Sequence, residues 1–232
     1  MDKLPQEQAK VVTIDGPGGS GKGTIARLLA KEFDWHLLES GALYRLLALC
    51  ADKHQIALDD IAALTALAET LDVQFIPNTL EDTTRFILED EEVSSEILTE
   101  SCGNKASQIS VYLSVRQALL AKQRSFRQMP GLVAEGRDMG TVVFPDAVLK
   151  IFLSASIEER AQRRYKQLKE QGIHDNLGAL QNEIAARDER DRQRAVSPLQ
   201  PALDAIIVDT TGMKIQDVLD HILKLFEERL TI

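Results

Sequence analysis

Cysteine is scarce in this chain: Cys50 and Cys102 are the only two in 232 residues. Neither has a partner at a recognisable spacing, and neither has a histidine or cysteine cluster nearby. A disulfide between them is possible, but a chain of this size with no export signal reads better as a reduced protein. Both cysteines are expected to be small packing residues in a reduced, cytoplasmic protein. Long apolar runs are missing as well. No stretch approaches the roughly 18 residues that a membrane-spanning helix needs. Met1 to Gln8 is polar and has no apolar segment of signal-peptide type. Positive charge is in deficit, with 27 Lys and Arg against 36 Asp and Glu and a net charge of −9. That balance argues against nucleic-acid polymers and anionic membranes as partners. The four histidines and the lone Trp35 form no ligand or nucleophile pattern, and Trp35, beside an apolar run, is expected in the core. No internal repeat or low-complexity tract is visible.

What is present is the ordinary material of a globular protein, 44% apolar and 27% charged, long enough for one full core and a small insertion. Its charge is unevenly placed. Thr70 to Glu100 holds nine acidic residues against the single Arg85, whereas Arg160 to Arg194 holds nine basic and six acidic residues. An acidic chain that gathers its arginines in one region is expected to bind a small, highly charged anion there.

Five short apolar runs read as buried strands: Val11–Asp15, His36–Glu39, Leu132–Glu135, Leu149–Leu153 and Ala205–Val208. Helical periodicity follows them, as in residues 22–33, where Ile25, Leu28, Leu29 and Phe33 share a face, and a long helix over residues 111–126 precedes the third run. This alternation predicts an α/β fold with a five-stranded parallel sheet flanked by helices. Between Ala57 and Gln108 the alternation breaks. A helical stretch over 58–70 leads to Val73–Ile76, a turn at Pro77-Asn78, and a second run at Arg85–Leu88, which together read as antiparallel strands. The expected organisation is a core of residues 10–56 and 107–228 interrupted by an α+β insertion at 57–106.

Between the first strand and the first helix lies Gly16-Pro17-Gly18-Gly19-Ser20-Gly21-Lys22-Gly23-Thr24. In that position the glycines let successive backbone N–H groups turn around phosphate oxygens. The helix N-terminus adds its positive dipole end, and Lys22 reaches the β- and γ-phosphates of ATP. The hydroxyl expected after the lysine arrives one position late, at Thr24. No Asn-Lys-x-Asp segment of the kind that reads guanine is present, and the Gly-Lys-Gly-Thr form is that of small kinases.

Four further segments narrow the reading. They are Glu39-Ser40-Gly41-Ala42-Leu43-Tyr44-Arg45; Ala106-Ser107-Gln108 with Val115-Arg116; Gly136-Arg137-Asp138-Met139-Gly140-Thr141; and Arg187-Asp188-Glu189-Arg190-Asp191-Arg192-Gln193-Arg194. With the P-loop they resemble the bacterial cytidylate kinases, from about Val11 to Asp209. The resemblance implies ATP with Mg²⁺ as phosphoryl donor, CMP or dCMP as acceptor and a P-loop kinase core; nothing in the sequence demands a partner chain, so a monomer is expected. It implies that Ser107, Arg187 and Asp191 read the cytosine edge, that Asp138 holds the sugar hydroxyls, and that Ser40 and Arg116 line the same pocket. Tyr44, Arg45, Arg137 and Arg194 are then expected to grip the acceptor phosphate or the transferring group. The resemblance also implies a helical lid at 156–190, an acceptor-side place for the 57–106 insertion, and a catalytic set of Lys22, Arg137, Arg163, Arg164 and Arg194, with Arg160 beside them in the lid. Thr24 and Glu135 are assigned to Mg²⁺ through water. Glu135 stands where the family more commonly has Asp.

The residue chemistry supports these expectations independently. A carboxylate and an arginine distinguish cytosine, with its exocyclic amine donor, from uracil. Guanidinium forks match phosphate oxygens, and in a helix Arg187, Asp191 and Arg194 share a face. Two other readings remain at this level: a kinase of similar fold acting on UMP, AMP or an alcohol, and an ATP-binding regulatory protein that hydrolyses slowly without an acceptor.

Overall fold

The computed structural model describes residues 8–78, 83–170 and 176–230. The chain opens with β1 (Lys10–Asp15), α1 (Lys22–Phe33), β2 (His36–Glu39) and α2 (Ser40–Lys53). It continues through α3 (Ile61–Thr70), β3 (Val73–Asn78), β4 (Thr83–Leu88), β5 (Glu91–Glu92), α4 (Ser94–Ile97), α5 (Glu100–Ile109) and α6 (Leu113–Ser125). Then come β6 (Gly131–Gly136), a π-helical turn (Met139–Val143), β7 (Leu149–Ser154), α7 (Ile157–Glu170), α8 (Leu177–Gln193), β8 (Ile206–Asp209) and α9 (Ile215–Leu230).

The main sheet has five strands in the order β2-β6-β1-β7-β8, all paired in parallel. Helices cover both faces, so strand residues are buried irrespective of the face they point to. Val11, Val12, Ile14, Leu132, Val133 and Ala134 are fully buried. On one face α1 and α9 pack with Ile25, Leu29, Ile222 and Phe226. There the ring of Trp35, half-buried rather than fully enclosed, meets Phe33 and Phe226 at centroid distances of 5.2 and 5.6 Å. A Cβ at Gly131 would lie 2.3 Å from that ring, so the start of β6 must be glycine for Trp35 to close the layer. The other face is filled by Leu38, Leu43, Met139 and Phe144.

The expected strands are present with ends moved by a residue or less, β8 being shifted one residue onward. The helix expected over 58–70 starts at Ile61 because Asp60 caps it, its side chain accepting from Ala63 N at 3.0 Å. The helix expected over 111–126 is α6, trimmed to Leu113–Ser125. β3, β4 and β5 form a separate antiparallel sheet. Pro77 and Asn78 are not its turn: they belong to β3, opposite Thr84 and Thr83, and residues 79–82 lie outside the described residues. The expected lid boundary at residue 190 falls inside α8, which runs on to Gln193.

The parallel order brings the C-terminal ends of β1, β2 and β6 together. From those ends leave the glycine-rich loop, α2 with its Ser40–Arg45 segment, and the Arg137–Asp138 turn. Ligands bind at this edge in open α/β sheets.

Candidate active site

The glycine-rich loop is shaped by left-handed backbone that only glycine adopts freely. Gly19 and Gly21 have φ of 78° and 93°. At Gly16 (φ 145°) a Cβ would come within 2.0 Å of the Leu153 carbonyl on β7. Gly21 caps α1, and Lys22 is its first residue. The Lys22 ammonium is buried and donates to the Pro17 carbonyl at 2.8 Å. Burial, reinforced by the neighbouring Arg137, lowers its pKa to about 7, against the opposing pull of Glu135 and Asp15.

Asp15, the last residue of β1, is a component that the sequence reading missed. Its two oxygens accept the backbone N–H groups of Met139 and Gly140 at 2.9 and 2.8 Å, which ties the start of the phosphate loop to the π-helical turn. That turn forms because Val143 and Phe144 donate five residues back, to Asp138 and Met139. Desolvation raises the Asp15 carboxyl to about 7, although both backbone bonds oppose the shift.

Beside the loop lies a small pocket of about 60 Å³. Ser40, Tyr44, Ser107, Arg116, Arg137, Asp138, Arg187, Asp191 and Arg194 all line it, which brings together nine of the ten residues expected at the acceptor. Arg116 pairs with Asp138 and also donates to the Ser110 carbonyl at 3.1 Å. Arg137 donates from Nε to Asp191 Oδ2 at 2.8 Å, and its charge helps to hold the Asp191 carboxyl below the usual range despite burial. Arg187 is lowered to about 10 by burial and by Arg137. Tyr44 is pushed up to about 12 by burial, and the Arg116 guanidinium lies 5.5 Å from its ring centre. Ser40 donates to Gln123 Oε1 at 2.9 Å. The Ser107 hydroxyl and Arg194 Nη2 are buried without a hydrogen-bond partner among the described residues.

Two details differ from expectation. Arg194 is not helical: it follows the last residue of α8 with extended backbone (ψ 130°), yet its guanidinium still enters the pocket, where Nη1 meets Ser110 Oγ at 3.4 Å. Arg45 lines the larger cleft instead of the small pocket. Its Nη1 donates to the carbonyls of Ile97 and Thr99 at 2.5 and 2.9 Å, and its Cys102-side approach is permitted by Gly103, where a Cβ would sit 2.6 Å from Arg45 Nη2.

The larger cleft encloses about 760 Å³ and runs from Gly18 to Thr24 and across to Glu135, Arg163 and Arg164. Arg163 is held over the loop by Thr210, donating to its Oγ1 at 3.1 Å and its carbonyl at 2.6 Å, while Thr210 Oγ1 donates onward to the Ser20 carbonyl at 3.2 Å. Arg164 pairs with Glu100 of α5 at 2.5 Å, across the mouth of the cleft. Arg160 does not face the cleft as a free cation. It is buried against Asp188 and donates to the Gly18 carbonyl at 3.0 Å. Glu39 and Arg27, also missed from sequence, form an ion pair beside Gly23. Glu39 stands opposite Glu135 in the β2–β6 register, and its carboxyl is raised by burial, Glu135 adding to the shift. Thr24 and Glu135 both border this cleft. Oxygen donors of this kind suit a hard divalent cation.

Comparison with known proteins agrees with this geometry. The family model described as cytidylate kinase matches residues 12–228. A cytidylate kinase of Aeromonas salmonicida is 56% identical over 227 residues, covering 98% of this chain and 97% of that protein. One from Pseudomonas entomophila is 58% identical over 215 residues, covering 93% and 94%, and one from Shewanella frigidimarina is 52% identical over 226 residues, covering 97% and 99%. With a glycine-rich loop, a pocket lined by arginines and aspartates and a match of this extent, the chain belongs to the cytidylate kinase family.

Proposed function

We infer that this chain moves the γ-phosphoryl group of ATP to CMP or dCMP, giving ADP and CDP or dCDP. The observation that carries the reading is the convergence of Ser107, Asp138, Arg187, Asp191 and Arg194 in one pocket beside Lys22. In this reading Asp191 and Ser107 take the cytosine amine and ring edge, and Asp138 takes the ribose hydroxyls. Arg137 and Arg187 border both the small pocket and the larger cleft, so these two guanidinium groups are the ones that can touch acceptor and donor phosphates together.

Transfer needs no covalent intermediate, since the acceptor is already an anionic phosphate. The residues act by positioning and by charge. Lys22 and the N–H groups of residues 18–24 hold the β- and γ-phosphates, and Arg137, Arg163, Arg164 and Arg194 balance charge on the moving group. Thr24 and Glu135, which line the cleft, would hold Mg²⁺ through water, and the ion bound with ATP would supply further charge neutralisation. Arg116 pairs with Asp138 and Arg137 with Asp191 in the pocket, so a bound nucleotide competes with these ion pairs for the same side chains. Residues 156–190 act as the lid, and its closure excludes water that would compete with CMP. Residues 57–106 form the acceptor-side insertion on a core of 10–56 and 107–228. The protein works in the cytoplasm as a monomer; among the described residues no helix is long and apolar enough to cross a membrane.

The test is ADP formation with a panel of monophosphates. CMP and dCMP should lead and UMP should trail far behind, with negligible turnover when no acceptor is added. Equal rates with AMP, or hydrolysis independent of acceptor, would sink the reading.

A further inference from the structure

Away from the cleft, the end of α2 meets the turn between β4 and β5. Cys50 and His54 are four residues apart, so they lie one above the other on the same side of the helix end. Glu89 reaches them from the turn. His54 Nε2 is 2.7 Å from Glu89 Oε1, and Cys50 Sγ is 3.6 Å from the same oxygen. The sulfur, imidazole nitrogen and carboxylate oxygen all lie within 4.8 Å of one another. None of the three borders the phosphoryl-transfer cleft or the acceptor pocket.

We propose that Cys50, His54 and Glu89 form a three-ligand site for a divalent transition-metal cation of the zinc type, bracing α2 against the β4–β5 turn. The geometry requires little rearrangement. Zinc bonds to sulfur, nitrogen and oxygen place tetrahedral ligands about 3.3–3.7 Å apart, so the widest pair has to close by only about 1 Å. Mixed thiolate, imidazole and carboxylate donors select zinc-like metals over Mg²⁺, which prefers six oxygens. The fourth position faces water, because the His54 and Glu89 side chains are 48% and 41% exposed while Cys50 closes the site from inside.

The surrounding charge favours a cation. Glu89, Asp90, Glu91 and Glu92 follow one another along the turn. Lys53 and Arg85 neutralise two of them, pairing with Glu91 and Glu92 at 2.5 Å each, whereas the ion-pair partner of Glu89 is His54. Burial and Glu89 push the Cys50 thiol up to about 11, so metal binding at neutral pH displaces a proton from sulfur, as thiolate ligation requires.

The experiment uses the full chain, stripped with chelator and titrated with Co²⁺ and then Zn²⁺. One equivalent of Co²⁺ should give a near-ultraviolet thiolate charge-transfer band, which Zn²⁺ abolishes and excess Mg²⁺ leaves unchanged. Cys50→Ala should remove the band, and both Cys50→Ala and His54→Ala should weaken Zn²⁺ binding by about tenfold or more. Far-UV circular dichroism and CMP-dependent activity without added zinc should be unaltered in Cys50→Ala, which shows that the variant is folded. Absence of the band in the wild-type chain, or Zn²⁺ affinity unchanged in folded Cys50→Ala, overturns the proposal.

Discussion

Arg160 and Asp188 form a two-pronged ion pair, with Nη1–Oδ1 at 3.1 Å and Nη2–Oδ2 at 2.5 Å, and each side chain is only 2% exposed. The pair joins α7 to α8. Through Arg160 Nη1 it also reaches the Gly18 carbonyl of the phosphate loop. Removing one member leaves a buried charge without its counter-ion, which costs about 3–5 kcal/mol. Arg160 keeps its bonds to the Ala155 and Gly18 carbonyls, which places Asp188→Ala near the lower end. Urea denaturation should show a loss of about 3 kcal/mol. A loss under about 1 kcal/mol would mean that the pair only breaks even with solvent.

Ser107→Ala should separate function from stability. The hydroxyl is buried without a partner among the described residues, so deleting it removes an unsatisfied group and should leave the melting temperature unchanged or slightly raised. In the complex that hydroxyl has a ligand to bond. Losing one hydrogen bond of about 1 kcal/mol should raise KM for CMP several-fold, with KM for ATP unchanged. Steady-state kinetics and a thermal melt on one preparation decide it. A destabilised variant with normal KM would assign Ser107 to packing.

The main sheet was legible in the sequence because parallel strands buried on both faces read as continuous apolar runs, and β1, β6 and β7 do. The phosphate loop was legible because its glycine spacing is local. Boundaries were harder where side chains set them, as at Asp60, which starts α3 at Ile61 instead of residue 58. Pro77 looked like a turn but pairs in β3 opposite Thr84, since tertiary pairing outweighs a proline's local preference at the edge of a sheet. Asp15, Glu39 and Asp188 went unread because a lone carboxylate declares its role only through its partner. Their partners are Met139, Arg27 and Arg160, far along the chain or on another element. Cys50 and His54 are at helical ligand spacing, but the group that completes the cluster, Glu89, is 35 residues from His54. Arg45 was assigned to the acceptor from its neighbours in sequence, whereas its side chain is drawn aside by the carbonyls of Ile97 and Thr99.

Asp191 is tied to Arg137 at 2.8 Å, so its removal should affect both base reading and phosphate gripping. Asp191→Ala frees Arg137 to move and, under the proposed function, removes the acceptor for the cytosine amine. The CMP-to-UMP ratio of kcat/KM should fall by about 10–100-fold, the range that one well-placed charged hydrogen bond of 1.5–3 kcal/mol allows. Competition assays with both nucleotides measure the ratio directly. An unchanged ratio with a lower kcat would confine Asp191 to positioning Arg137.

Lys22 gives a pH prediction with a definite sign. Its pKa is lowered to about 7, first by burial and then by Arg137, so the ammonium is largely neutral in the free protein a unit or more above that value. The phosphates of ATP favour the charged form and raise its pKa in the complex. Below about pH 7 the lysine is already protonated, so binding takes up little proton. Above it, each complex formed takes up as much as one proton, and ATP affinity should fall by up to about tenfold per pH unit. Calorimetric titrations in buffers of different ionisation enthalpy, from about pH 6 to about pH 9, report that uptake directly. Lys22→Gln should bind ATP more weakly at low pH and lose most of the slope. It should also lose turnover by orders of magnitude, because the same charge faces the moving phosphoryl group. A wild-type affinity that stays flat across the range would mean that the buried lysine keeps its proton throughout, held by Asp15 and Glu135 against the desolvation that opposes it.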